Sequence, residues 1–440
     1  MSVNQSALAS NITLFEIYSN YDDKKSLDIS GGCVELSYYE SLLDNTVRVR
    51  GSFIDTGFRT ENSSSGDSKS VLEKGDVQLT AGEKVHLVME DVSGKKLIFK
   101  DDYQLRIKEV NNIIEHTQSL GFTIDFYSKE SIDNEFVETR VTKRYDGKIT
   151  DSVQSILEQV LKTPKDIEVD PSLNSFNFLG HVEKPFYKCA WLAKRCVPEM
   201  NGANGNYAGY FFYEIGDDGS GKGGYKFKSI DKLFTQKPKR KLIYNNTTLL
   251  PDEYDAKILN YSFINTVDIH KQLVSGGLYN TQLRSFSTYN NNYVENAFSY
   301  DKQVNEDNNA GKEKIKLPFQ DKITRVATKI LDTGVLKEGS NFDQSKELNL
   351  DTDKVVRQSF MRYNNLFSTR LSITIAGDFD LHAGDLVYCD FPEVSNSTSS
   401  EVSSRKGGIY MIVDLCHLVT SRTTFTQLNL VRDTIGRKPF

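Results

Sequence analysis

The sequence predicts a mainly β protein with α+β parts: two similar antiparallel β-barrel (tube-like) domains and an intervening α+β domain. Three observations lead there. First, a short string recurs. Residues 79–89 read LTAGEKVHLVM and 381–391 read LHAGDLVYCDF. Both fit Leu-x-Ala-Gly-acid-x-Val, through Leu79, Ala81, Gly82, Glu83 and Val85, then through Leu381, Ala383, Gly384, Asp385 and Val387. Second, a similar strand pair follows each copy: 106–110 leading to 122–127, and 411–415 leading to 425–430. Third, 22 Tyr and 25 Phe against one Trp and 5 Met make a profile that suits strands. A repeat at this spacing points to a duplicated domain and not a solenoid, whose units recur every ~20–50 residues. Turn chemistry common to many strand starts is the competing explanation.

Taken in order, 1–145 reads as the first β-barrel. Cys33 to Tyr38 alternates, SLLDNT turns the chain, and Val47 to Phe53 alternates again, the period-2 pattern of half-buried antiparallel strands. The polar run 59–75 reads as a long hairpin tip or disordered loop. Residues 146–252 form the α+β middle domain. Val153, Ile156, Leu157, Val160 and Leu161 keep helical spacing, with Thr150 or Asp151 as N-cap. A second helix opens at Pro185, with Phe186, Cys189, Ala193 and Cys196 on one face. A hairpin follows, 207–215 and 224–230.

The second barrel is split into 253–300 and 370–433 around an inserted helical and loop segment, 301–369, and 434–440 is a C-terminal tail. Within the insertion, Ile323, Val326, Ala327, Ile330 and Leu331 predict a helix ending at Gly334. Val356, Phe360, Tyr363 and Phe367 predict one face of a helix over 353–369. Leu371, Ile373 and Ile375 alternate as a strand, and the polar loop 393–408 interrupts the second sheet much as 59–75 interrupts the first.

Composition excludes several classes. Net charge is −6 over 440 residues, and the only basic run, Lys237 to Lys241, reads as a solvated linker, so no nucleic-acid-binding stripe is present. No stretch approaches the ~20 apolar residues of a bilayer span, and no secretory leader is expected at the N-terminus. Five scattered cysteines, Cys33, Cys189, Cys196, Cys389 and Cys416, predict reduced thiols and not a disulfide frame.

No motif carries catalysis. Gly216-x4-Gly221-Lys222 nearly spells a phosphate-binding loop, but Gly223 replaces the hydroxyl residue and a strand follows where a helix is needed. It reads as a turn. Cys189 and Cys196 have core spacing, and Cys416 and His417 point to opposite faces of a strand, so no zinc set forms. His417 reads as a packing or hydrogen-bonding residue. No catalytic residues, no cofactor and no metal are expected.

The local strings carry a resemblance. VELSYYESLLDNTVRVRGSFIDTG (34–57) resembles the first strand, turn and second strand of the central baseplate hub of contractile-tailed, T-even-type bacteriophages. IAGDFDLHAGDLVYCDFP (375–392) with GGIYMIVDLCHLV (407–419) resembles a pattern shared with the base of type VI secretion spike proteins. Gly377, Phe379, Leu381, Gly384, Val387, Tyr410, Val413 and His417 occupy it here. Lys184-Pro185-Phe186 with Trp191-Leu192-Ala193 is similar to the middle-domain helix of the contractile-tailed branch. These are fold markers: Leu79, Ala81, Gly82, Gly377, Phe379, Leu381, Ala383, Gly384, Tyr410 and His417.

The resemblance implies a structural hub in the virion, at the tail baseplate, assembled in the host cytoplasm. It implies a homotrimeric ring of pseudo-sixfold symmetry joining a six-fold tail tube to a three-fold central spike. The partners implied are the central spike protein and a tail tube or tube-initiator protein, together with tape-measure and baseplate wedge proteins. DNA would pass through a channel without specific binding, and no membrane insertion is expected. Such a channel is expected to be neutral or acidic, with Lys237 to Lys241 facing outward or an interface. A cell-wall-degrading tail hydrolase and a carbohydrate-binding tail adhesin remain as alternatives.

Overall fold

The computed structural model describes residues 7–437 apart from 23, 57–76, 78, 117–118, 200–207, 246–249, 266–267, 276–279, 289–290, 299–309, 312, 314, 316–321, 332–351 and 394–401. The loop expected at 59–75, half of that at 393–408, and Gly334 lie outside the described residues.

Strand outweighs helix, 47% against 16%, so the protein is mainly β. The first part contributes β1 (Asn11–Tyr18), β2 (Ser26–Asp28), β3 (Cys33–Ser41), β4 (Arg48–Asp55), β5 (Lys84–Glu90), β6 (Lys96–Phe99), β7 (Leu105–Glu115) and β8 (Leu120–Ser128). Residues 129–234 contribute α1 (Lys129–Asp133), β9 (Arg144–Tyr145), α2 (Ile149–Ser155), β10 (Asp166–Val169), β11 (Phe178–Leu179), α3 (Pro185–Ala193), β12 (Tyr210–Ile215), β13 (Gly224–Ser229) and α4 (Ile230–Phe234). The rest contributes β14 (Arg240–Ile243), β15 (Ala256–Lys257), β16 (Asn260–Asn265), α5 (Ile269–Ser275), β17 (Asn280–Ser287), β18 (Asn292–Phe298), β19 (Ile323–Ile330), α6 (Thr352–Leu366), β20 (Thr369–Ala376), β21 (Leu386–Asp390), β22 (Gly408–Thr420) and β23 (Thr424–Arg432).

One strand order occurs twice. In space the first half runs β3-β4-β8-β7-β5, every neighbour antiparallel. The second runs β16-β20-β23-β22-β21, again all antiparallel. With β6 and the separate β17–β19 sheet left aside, both read first, second, fifth, fourth, third in chain order. A further strand then flanks each half, β1 antiparallel to β5 and β14 parallel to β21. Alternation explains the faces. Along β4, Val49, Gly51, Phe53 and Asp55 are buried, and along β20 it is Thr369, Leu371, Ile373 and Ile375.

The two expected barrels are not seen as separate closed units among the described residues. Both halves belong to one 15-stranded sheet, and no closed barrel is present among the described residues. The halves are joined through β22, whose thirteen residues serve two ladders on one edge. Leu386 to Cys389 of β21 pair with its first four residues, and β3 pairs with its last seven, Asp414↔Ser41 through Thr420↔Glu35. A single apolar core accordingly includes Phe15, Phe53 and Phe126 from one half and Phe379, Ile412 and Leu430 from the other.

Within residues 129–234, α2 starts at Ile149, with Lys148 in the capping position where Thr150 or Asp151 was expected. It continues as π-helical turns over 156–161 and stops at Lys162, whose φ of +55° cannot propagate a helix. Pro185 opens α3 at its first turn, as expected, and β12 and β13 form the expected hairpin.

Three other readings are corrected. Residues 323–330 form β19, paired parallel to β17, and not a helix. ITRVATKI also has β-branched residues at alternate and adjacent positions, and pairing with β17 decides between the two periods. In α6, Phe360 is 42% exposed while Val355, Met361 and Leu366 are buried, so the buried face is rotated from the expected one. Finally, Lys237 to Lys241 is more than a solvated linker: it runs into β14, and Lys239, Arg240 and Lys241 are paired with acids.

The two repeated turns set a stability test. Gly82 and Gly384 both hold φ of +91°, which costs an L-residue ~1–2 kcal/mol. A Cβ on Gly82 would meet nothing nearer than 3.9 Å, whereas one on Gly384 would sit 2.6 Å from the hydroxyl of buried Tyr213. Urea denaturation should therefore show G384A less stable than G82A, with most of the difference removed when Tyr213→Phe is added to G384A. Equal losses would mean that Tyr213 yields freely.

Candidate functional site: the junction of the two sheet halves

The β3–β22 ladder is where the halves meet, and its chemistry converges on Glu40. Leu36, Tyr38 and Glu40 share the inward face of β3, so the alternation that buries two hydrophobic residues buries a carboxylate as well. Glu40 is completely enclosed but not unsatisfied. Its Oε1 accepts the Tyr38 hydroxyl at 2.5 Å and the Gly216 N–H at 2.9 Å, and its Oε2 accepts the Ala383 N–H at 2.9 Å. His382 Nδ1 lies 2.9 Å from Oε1.

Burial pushes the Glu40 carboxyl up, but His382 and these donors outweigh it and leave it below the ordinary range. Burial pulls His382 down, and Glu40 more than reverses that, holding it above an ordinary imidazole. Both directions describe a carboxylate–imidazolium pair.

Three distant segments are thereby fastened together: β3, the β12–β13 hairpin and the second Leu-x-Ala-Gly turn. The string that nearly spelled a phosphate loop is that hairpin's tip. Gly216 is required there, because a Cβ would lie 2.6 Å from the Tyr38 hydroxyl oxygen. Asp217 Oδ1 organises the tip, accepting the N–H groups of Gly221 and Gly223 at 3.0 and 3.3 Å.

The ten marker residues fall as follows. Leu79 and Leu381 belong to the core. The turns carrying Ala81-Gly82 and Ala383-Gly384 share one hydrogen-bond pattern. Gly82 donates to the Ile107 carbonyl at 2.8 Å, and Ile107 donates back to the Glu83 carbonyl at 3.1 Å. Gly384 donates to the Ile412 carbonyl at 2.9 Å, and Ile412 donates back to the Asp385 carbonyl at 2.9 Å. Each acidic side chain also accepts an N–H three residues earlier, from Thr80 at 2.7 Å and His382 at 2.9 Å. The turns differ at alanine: Ala81 adopts φ of +81° and Ala383 does not.

Gly377 donates to the Thr424 carbonyl at 3.0 Å, and Phe379 donates to Asp91 at 3.0 Å, a link between the halves. The buried Tyr410 hydroxyl donates to the Lys406 carbonyl at 2.6 Å. His417 faces Tyr38 across the ladder with its ring stacked at 5.8 Å, and Phe379 meets its edge at 4.8 Å. Burial pulls His417 down to about 3, so it is neutral, with Nδ1 2.8 Å from the Thr426 hydroxyl. Phe379, Leu381, Ala383, Gly384 and His417 are thus gathered at the junction, Tyr410 and Gly377 flank it, and Leu79, Ala81 and Gly82 stand at the corresponding place in the first half.

The expected basic run abuts this site. Arg240 pairs with Asp378 and Asp380, each at 2.8 Å, Lys239 with Asp385 at 3.2 Å, and Lys241 with Glu253 at 3.6 Å. A cleft of about 750 Å³ opens beside His382, lined by Lys226, Lys228, Lys232 and Lys239 as well as Glu168, Asp170 and Asp385. Each of those lysines already contacts an acid in the same cleft, at 3.0–3.2 Å for the Lys226–Glu168, Lys228–Asp170, Lys232–Asp170 and Lys239–Asp385 pairs. A second buried network ties the segment before β10 and strand β12 to the first half. Lys165 lies 2.7 Å from Glu130 and 2.5 Å from Glu214, and Glu214 also accepts the Val47 N–H at 3.0 Å.

Sequence reasoning missed Glu40, His382 and the Lys165 network. A signal for Glu40 did exist, a charged residue in phase with Leu36 and Tyr38. For Lys165 none did, because its partners lie 35 and 49 positions away. The cysteine thiols are free, and burial pushes those of Cys189, Cys196 and Cys389 well up. No group of three or more His, Cys, Asp or Glu side chains able to hold a metal ion occurs among the described residues.

Comparison with known proteins places this arrangement. No family model matches the chain, and no curated protein matches its sequence. Among solved structures, the tail protein from Neisseria meningitidis MC58 is similar with a TM-score of 0.54 and 9% identity, over 96% of each chain. The 43 kDa tail protein of prophage MuSo2 from Shewanella oneidensis is similar with a TM-score of 0.53 and 7% identity, over 96% of this chain and 98% of that one. The fold is that of these tail proteins. At such identities fold is what is shared, and the expected likeness to phage tail proteins holds at that level.

The two histidines should titrate with opposite signs. His417 stays unprotonated when folded down to about pH 3, so the unfolded chain binds more protons below ~6.5 and stability falls as pH drops. His382, raised by Glu40, contributes stability that is present below the unfolded value near 6.5 and lost as pH rises through its folded value. Glu40, lowered, loses its share only as pH falls below the ordinary carboxylate range. H417Q should therefore remove up to ~3 kcal/mol of the stability loss between pH 6.5 and 4.5. H382Q should cost most between pH 5 and 6.5, with the cost shrinking as pH rises above that window. Denaturant titrations at four pH values would show it, and parallel profiles for the two variants would refute the assignment.

Proposed function

We propose that the chain is a structural hub of a contractile phage-tail baseplate. Three copies form a ring of pseudo-sixfold symmetry that joins a six-fold tail tube to a three-fold central spike and leaves a channel for DNA. The observation that carries this reading is the repeated strand order with its paired turns. A chain that contains one architecture twice offers six similar units when three copies assemble, and closed cyclic assemblies are the common outcome for soluble homo-oligomers. Similarity in fold to two tail proteins agrees with it.

On this reading each half of the sheet curls into a barrel-like unit. Support comes from the segment 256–265, which passes from β14 to β20. Ile258 donates to the Ile243 carbonyl at 2.8 Å, and the next residue, Leu259, donates to the Thr374 carbonyl at 2.8 Å. The two Leu-x-Ala-Gly turns are corresponding parts of a duplicated domain. The role is mechanical and not catalytic. Its partners are a spike protein on one side and a tube or tube-initiator protein on the other, in the virion tail.

The test is direct. Light scattering of the purified chain should give about three times its 49.8 kDa mass, and negative-stain images should show a three-fold ring with a central opening. A monomer at ~100 µM that stays monomeric when a spike protein is supplied would overturn the proposal.

A further inference from the structure

The junction inside the chain also shows how one copy would meet the next. β3 is the first strand of the first half, and it lies on the outer part of β22, the fourth strand of the second half. The counterpart of β22 is β7, and the counterpart of β3 is β16. Both have an edge without a strand partner among the described residues. β5 covers only Leu105 and Arg106 of β7, with turn contacts reaching Ile107. β16 pairs with β20 on one side alone.

Burial records the difference. The outer part of β22 alternates buried and half-buried beneath β3, while β7 from Lys108 to Glu115 is exposed or half-exposed. Ile113 and Ile114 are 51% and 58% exposed, an unusual placing for adjacent aliphatic residues on an open strand edge.

We infer that β16 of one copy adds antiparallel to the outer edge of β7 in a second copy, reproducing the β3–β22 ladder. This deepens the ring proposed above and rests on it for the number of copies. The register follows from corresponding positions. Ile107 and Ile412 each take the turn glycine's N–H, face Phe126 and Leu430, and precede a bulge. Tyr38 and Phe263 each lie across from a residue, Val49 or Leu371, that faces the same Phe126 or Leu430.

Inside the chain Tyr38 faces His417, five residues past Ile412. The corresponding position five past Ile107 is Asn112, so Phe263 of one copy faces Asn112 of the next. Ser262 then faces Ile113, or Ile114 if the irregularity of β7 between Asn111 and Ile114 shifts the count by one. The contact is head to tail, so it closes into a ring or continues as a filament according to the angle between copies.

Cysteine pairing tests both geometry and closure. The full-length chain carrying S262C with I113C, and a second variant carrying S262C with I114C, should under mild oxidation give covalent trimers on a non-reducing gel. Single-cysteine variants should give none. Ile113→Lys with Ile114→Lys should raise the concentration at which trimers dissociate on the order of 100-fold, the effect of losing two aliphatic side chains' burial, with circular dichroism unchanged. Trimers by light scattering without cross-links in either variant would overturn the edge pairing and leave the ring standing. Cross-linked ladders longer than three chains would keep the pairing and overturn the three-copy ring. A monomer that neither associates nor cross-links would overturn both.

Discussion

The structure depends on one buried carboxylate being fully satisfied. An ionised carboxyl taken out of water is costly unless every lone pair finds a donor, and Glu40 finds its donors in three parts of the chain. None of those parts supplies enough by itself. The Tyr38 hydroxyl comes from its own strand, the Gly216 N–H from the middle domain, and the Ala383 N–H and His382 ring from the second repeated turn. The carboxylate is stable only when all three are in place, so it couples the docking of the middle domain to the joining of the sheet halves. Gly216 is small because the contact must be close, and the turn at 381–385 presents its N–H groups to Glu40 in addition to reversing the chain.

The Lys165 network is a second use of the same device. It links α1, the segment before β10 and the strand β12 through two carboxylates and one ammonium, all enclosed. Buried ion pairs contribute little net stability, but breaking one leaves an uncompensated charge. Two such clusters, meeting at the end of β12 through Glu214 and Gly216, therefore fix its position more than they strengthen its attachment. The apolar contact of Phe211, Tyr213 and Leu233 with Leu386, Met411 and Val413 supplies the attraction.

Much of the fold was legible because strands with one wet face advertise themselves by alternation. Residues 33–38, 47–53 and 371–375 all form the strands that their pattern announces, and Pro185 marks its helix. The repeat was legible because a turn with positive φ and a returned hydrogen bond needs glycine followed by an acid. Residues 323–331 were misleading because five apolar positions satisfy a helical period while the β-branched content suits a strand. Pairing with β17, a partner over forty residues earlier, settles the matter, and no local pattern contains it. The fusion of the two halves was illegible for the same reason: β22 reads as an ordinary strand, and only its partners reveal that it belongs to two ladders. Glu40 lay in plain sight as a charged residue on an apolar face, yet its donors are up to 343 positions away.

The length of β22 has a mechanical consequence. Because β3 of one half lies along β22 of the other, a pull that separates them is spread over the seven rungs from Asp414↔Ser41 to Thr420↔Glu35. Load directed along a strand shears all its rungs together, whereas load across an ordinary domain interface peels contacts one after another. The joint between the halves is therefore stiff in the direction of the strand. The compliance of the molecule is displaced to the connections around it, and the paired halves move as one body when force is applied.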